Sequence, residues 1–229
     1  MAKHGRETTL KRLNATSKIS LPRKDHVWFA KPRAGTHTAR ESITLLSFLR
    51  DLLKVAGTAR EAKILVKHGK VLVDGRVVKD PNFPIGFMDV IHIPDVDMTY
   101  RMELDAKGRL VAKRANVKHK LLRIVGKRTV RGGKQQISLA DGRTLLSDAK
   151  YSVGDTLKLS LPEFKVISHY PLEVGSRCVV LKGKHAGEHG KITSMIPGTP
   201  NARAKVSIET DSGQKFVIYK DYIFVEGGE

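Results

Sequence analysis

The chain has 229 residues, 42 of them Lys or Arg and 23 Asp or Glu, for a formal net charge of +19. A chain of this length can bury a core of its own, so it is not a mere basic tail, and its cation excess goes well beyond what solubility asks for and implies a polyanionic partner. No run approaches the ~18 apolar residues of a spanning helix, the start from Met1 to Arg6 lacks the apolar stretch of a secretory leader, and the one cysteine, Cys178, can form neither an internal disulfide nor a paired-cysteine zinc site, so a cytoplasmic protein with no membrane partner is expected.

Residues 1–41 hold ten Lys or Arg (Lys3, Arg6, Lys11, Arg12, Lys18, Arg23, Lys24, Lys31, Arg33, Arg40) against Glu7, Asp25 and Glu41, with no regular apolar period. Composition alone allows a solvated, disordered arm. Trp28, Phe29, Pro22 and Pro32 lie among the cations and favour instead an extended arm that orders on its partner, with Trp28 as a platform on which a base stacks.

From Ser42 the pattern changes. Leu45, Leu46, Leu49, Leu52 and Leu53 form the apolar stripe of an amphipathic helix ending near Lys54, with Gly57 as the break. Thr58-Ala59-Arg60-Glu61 is a capping box that opens a second helix, closed by Gly69. On it Ala62, Leu65 and Val66 share one face, while Arg60, Lys63 and Lys67 share the other with no acid between them after Glu61. A solvated charge face is the ordinary reading of such a stripe; the missing acids favour phosphate contact. Residues 70–73 and 76–78 are β-rich runs joined by Asp74-Gly75, a strong hairpin signal, and Asp89–Ile93 reads as a returning strand.

Residues 94–170 read as short strands with turns at 105–108, 131–134 and 141–142, an all-β segment. Nine Lys or Arg and no acid lie between Lys113 and Ala140, so no strand face is neutralised there. An exposed hairpin whose charge only aids solubility is the bland account; mutual repulsion of so many cations favours an RNA backbone beside them.

The run Ala59–Arg76, within residues 42–93, resembles the S-four RNA-binding domain of ribosomal proteins and RNA-modifying enzymes. Val174–Ile192, with Gly183, Gly187 and Gly190, resembles a KOW motif, the strand-loop-strand signature of small SH3-like barrels. These two in this order, with Asp80–Ile91 and the run Leu10–Ala15, resemble the archaeal and eukaryotic small-subunit ribosomal protein family called S-four-e, and the stop at Glu229 soon after the barrel suits an archaeal member.

The resemblance implies an α+β multidomain protein: a basic extension (1–41), an S-four-like α+β domain (42–94), a central small β domain (95–170) and a C-terminal KOW/SH3-like β-barrel (171–229). It implies a non-catalytic constituent of the small ribosomal subunit that binds its RNA and touches neighbouring ribosomal proteins, with no cofactor, metal or small-molecule substrate. The expected RNA contacts are Lys11, Arg12, Arg23, Lys24, Trp28, Lys31, Arg33, His37 and Arg40 in the extension. Arg50, Lys54, Arg60, Lys63, Lys67, His68 and Lys70 join them in the second domain. Lys118, Lys120, Arg123, Lys127, Arg128, Arg131 and Lys134 follow in the central one, and Arg177, Lys182, Lys184, His185, His189 and Lys191 in the barrel.

Two other classes compete. An RNA-modifying enzyme with an S-four-like grip needs a catalytic domain, and residues 94–170 are too short and too poor in acid/base clusters to supply one. An elongation factor built on the KOW-like barrel is the third reading. His185-Ala186-Gly187-Glu188-His189 matches a zinc-protease string that requires a helix, which the surrounding glycines disfavour, so the histidines are assigned to an RNA-contacting loop.

Overall fold

The computed structural model describes residues 8–24 and 26–227; Lys3 and Arg6 of the basic extension lie outside them. The chain is mostly β, with few helices, and divides into two compact units: residues 1–103 with 109–118, and residues 104–108 with 119–229.

In the first unit, β1 (Thr9–Lys11) pairs antiparallel with β2 (Trp28–Ala30), Lys11 opposite Trp28. Strand alternation turns Phe29 inward and Trp28 outward. β3 (Ile43–Thr44) leads into α1, an α turn at Leu45–Ser47 that widens into a π turn at Phe48–Leu52. Thr44 caps this element by accepting from the Ser47 N–H, and Leu45, Leu46, Phe48 and Leu49 are its buried face. Lys54, with φ of 57°, ends it in the left-handed region, at the end expected from the sequence.

α2 (Ala59–Lys67) has the full capping box: Thr58 Oγ1 accepts from Glu61 N–H while the Glu61 carboxylate accepts from Gly57 and Thr58. These bonds hold the Glu61 carboxyl below the usual carboxylate range, the Gly57 N–H contributing most. β4 (Leu72–Val73) and β5 (Arg76–Val77) form the expected hairpin, Asp74 and Gly75 both taking positive φ. β6 (Pro84–Ile85) pairs with β3; β7 (Val90–Ile93), β8 (Met98–Leu104) and β9 (Leu110–Arg114) extend the sheet in the order β5-β4-β7-β8-β9.

Pro94–Val96 with left-handed Asp97 is a tight turn that sends β8 straight back along β7. One expectation changes here. The described part of the basic extension is packed within the first unit. Asn82 Nδ2 donates to the carbonyls of both Thr8 and Lys31, Leu110 N–H bonds Lys18 O at 2.7 Å, and Ile19 and Phe29 are buried. Backbone groups of the extension are thus met by this chain, without waiting for a partner.

In the second unit, β10 (His119–Thr129), β11 (Gln135–Leu139), β12 (Thr144–Ser147), β13 (Thr156–Ser160) and β14 (Val166–Tyr170) form an antiparallel sheet ordered β12-β11-β10-β13-β14. A bulge between Ile124 and Gly126 lets long β10 pair with β13 in its first half and β11 in its second. Leu122, Ile124, Ile137, Leu139, Leu157 and Leu159 fill its core. β15 (Arg177–Val180), β16 (His189–Ile196), β17 (Lys205–Thr210), β18 (Lys215–Tyr219) and β19 (Ile223–Val225) make the second sheet, ordered β18-β17-β16-β15-β19. All five of these strands send apolar residues into one cluster with Cys178 and Val180, which requires the sheet to curl into a half-barrel.

Candidate nucleic-acid interface

Three stretches of surface carry exposed cations. The first is α2. Ala62 and Val66 are fully buried, and the 3.6-residue period therefore turns Arg60, Lys63 and Lys67 to solvent, where none meets a carboxylate among the described residues. His68 is exposed beside them. Lys70 Nζ lies 2.6 Å from Asp95 Oδ2 with both side chains about half exposed, a pair that competes weakly with a phosphate.

The second is the tip of the β10–β11 hairpin. Gly132 and Gly133 take positive φ at the turn, and Arg128, Arg131 and Lys134 project around it without carboxylate partners among the described residues. Lys118 is exposed at the foot of β10, and exposed Lys127 donates to Tyr151 O at 3.2 Å.

The third is the loop between β15 and β16. Lys184 and Lys191 are exposed, Lys182 is half-buried, and Arg177 pairs loosely with Asp211 at 3.4 Å. His185 stacks on Phe216 at 4.0 Å between ring centroids with Nδ1 3.1 Å from Glu188, so its ring is held by this chain. His189 opens strand β16 and faces Glu226 at 2.9 Å.

The described extension adds exposed Lys11, Arg23, Lys24, Lys31 and Arg40, with Arg33 bound to Asp80 at 2.8 Å. Trp28 is 59% exposed. It overhangs an open cleft of about 620 Å³ that is also lined by Arg12, Pro22, His26, Arg50 and Lys54. Arg50 is engaged bidentately by Asp51, at 2.5 and 2.9 Å, which raises its pKa and neutralises its charge locally.

Four of the expected contact residues are held by partners within the chain. Arg12 is 4% exposed; its Nη2 and Nε donate to the carbonyls of Leu21 and Pro22, and its guanidinium sits 5.4 Å from the centre of the Phe29 ring. Burial depresses its pKa, with Arg23 adding to the effect. Lys120 is buried near Asp141. Half-buried Arg123 donates to the carbonyls of Asp221 and Ile223, tying β10 to the half-barrel. His37 Nε2 lies 2.9 Å from Oδ1 of buried Asp89, whose other oxygen accepts from the Gly86 N–H. In each case the side chain meets an acceptor nine or more residues away, which residue type alone does not reveal. His26, by contrast, was missed as a cleft residue although it stands two positions before Trp28.

The family model described as the S4 domain matches residues 45–91, and the one described as Ribosomal family S4e matches residues 96–166. The small ribosomal subunit protein eS4 of Methanocaldococcus jannaschii is 42% identical over 239 aligned positions, covering 100% of this chain and 98% of that protein. That of Methanothermobacter thermautotrophicus is 42% identical over 95% of this chain and 91% of its own length. The crystal structure of the 30S ribosomal protein S4e from Thermoplasma acidophilum superposes with a TM-score of 0.69 at 32% identity, covering 82% of this chain and 95% of that one.

Proposed function

The chain belongs to the ribosomal protein family S4e, and we propose from that premise that it is a structural, non-enzymatic constituent of the small ribosomal subunit in the cytoplasm, binding ribosomal RNA through its S4 domain. The observation that carries the RNA-facing assignment is the outer face of α2, where Arg60, Lys63 and Lys67 stand within the S4 match without acidic neutralisation. The hairpin tip and the β15–β16 loop are further contacts in this reading, the latter as the loop of a KOW/SH3-like module spanning residues 171–229. Exposed groups on the same surfaces that RNA leaves uncovered meet neighbouring ribosomal proteins.

Such an array reads the shape and backbone of folded RNA more than its base order. Neutralised phosphates release their counterions, and RNA segments that would repel one another can then lie close together. The experiment is a high-salt sucrose gradient of purified small subunits with quantitative mass spectrometry. Stoichiometric retention of the chain is expected; its loss to the soluble fraction while subunits stay intact overturns the structural reading.

A further inference from the structure

The Trp28 cleft is not explained by a phosphate-facing surface. A large aromatic ring left 59% exposed, above a cavity of about 620 Å³ whose size falls within the range of small-ligand sites, offers a π-face rather than a charge. Its floor is Arg12. Two guanidinium nitrogens are taken by the carbonyls of Leu21 and Pro22, and the third, Nη1, has no acceptor among the described residues. Its wall is the π turn Phe48–Leu52, a local widening often met at functional sites, followed by Lys54 in a left-handed conformation that side-chain-bearing residues rarely adopt. Both irregularities fall on the segment that lines the cleft.

The cleft does not end blindly. His26, Trp28, Arg50 and Gly57 also line a shallower groove that runs on to Thr58 and Ala59, where α2 and its cationic face begin. The capping box takes the N–H groups of Gly57, Thr58 and Glu61 at that point, and the exposed Arg60 side chain supplies the charge beside it.

We infer that this cleft receives a single unstacked nucleotide of the bound RNA, its base lying on Trp28 and its phosphate drawn to Lys54, with the strand continuing along the groove to Arg60. This rests on the reading of the chain as a ribosomal RNA binder and deepens it: one nucleotide is pulled out of the stack, while α2 holds only backbone. A cleft that is open to solvent and continues into a groove suits a nucleotide joined to a strand better than a free one. Every base presents a π-face, so the site selects an unpaired position more than a base identity.

Trp28 is the only tryptophan in the chain, so its emission reports on this site alone. The full-length protein is titrated with small-subunit ribosomal RNA from its own source, and separately with adenosine 5′-monophosphate. Affinity is measured in parallel for Trp28→Phe, Trp28→Leu and Arg60→Gln, each checked for an unchanged unfolding midpoint. Expected are strong quenching by the RNA, near-native affinity for Trp28→Phe, and about a tenfold loss for Trp28→Leu. Arg60→Gln should bind more weakly yet still be quenched to the same depth at saturation. Tight RNA binding with unchanged emission and native-like Trp28→Leu affinity overturns the inference and leaves the ribosomal reading standing. Quenching by the free nucleotide at the concentrations at which RNA saturates overturns it in favour of a mononucleotide pocket. Absence of any RNA binding defeats both readings together.

Discussion

The ammonium of Lys120 lies 4.0 Å from the carboxylate of Asp141, and both side chains are wholly shielded from water. Arg143 Nε approaches the same carboxylate at 3.1 Å, and its guanidinium packs 3.6 Å from the centre of the Phe164 ring. The two ends of the pair are therefore not equivalent. Lys120→Met leaves Asp141 with Arg143 as counterion, whereas Asp141→Ala removes the carboxylate that both basic side chains face. Removing one partner of a buried pair costs roughly 3–5 kcal/mol, and because Asp141 faces two basic side chains, Asp141→Ala should approach that range with Lys120→Met clearly below it. Urea unfolding of the two variants gives the order, and equal losses would show that Arg143 does not compensate.

Asp155 is a second buried carboxylate, with a pH signature. Burial disfavours its charge, but the Leu172 N–H at 3.0 Å, the His169 ring at 2.7 Å and the Ser152 N–H at 3.0 Å outweigh that and hold its pKa below the usual value. A carboxylate with a depressed folded pKa contributes stability that is complete above its unfolded pKa, about 3.9, and lost as pH falls through the folded value. The second unit should therefore weaken between about pH 5 and the acid limit, and Asp155→Asn should flatten that part of the profile while lowering stability at neutral pH. Chemical denaturation at a series of pH values is the check; an Asp155→Asn profile parallel to the native one refutes the assignment.

Gly187 ties the β15–β16 loop to the turn after β8. Its φ is +90°, and a Cβ built there would stand 2.0 Å from the carbonyl oxygen of Asp105, a backbone atom with little room to move. Gly187→Ala should cost at least about 2 kcal/mol through overpacking and strained backbone together. Thermal unfolding tests this, and a cost near zero would mean that the loop shifts freely.

Arg60→Gln, Lys63→Gln and Lys67→Gln combined remove three exposed charges without touching the buried Ala62–Val66 face. Stability should change little. The slope of log affinity for small-subunit ribosomal RNA against log salt should drop by about 0.7–0.9 per lost contact, roughly 2 to 3 in all. An unchanged slope would place the RNA on another face.

Features set by neighbours in sequence were readable from the chain alone. The Thr58–Glu61 capping box, the Asp74-Gly75 hairpin, the opposed faces of α2 and the unneutralised β10–β11 tip each depend on residues within a few positions, so pattern carried the geometry. The strand-loop-strand of residues 174–192 was legible for the same reason.

What lay beyond the chain's local pattern was the fate of individual basic and imidazole side chains. Arg12, His37, Lys120 and Arg123 look like their exposed counterparts in sequence; only folding brings them to the carbonyls of Leu21 and Asp221 or the carboxylates of Asp89 and Asp141. The cleft under Trp28 likewise draws its walls from two stretches of chain that become neighbours only when β1 and β2 pack beside α1. The reason is common to all of these. Charge and local periodicity travel with the residue, whereas burial and partnership depend on which distant segment closes over it, and that is decided by packing of the whole unit.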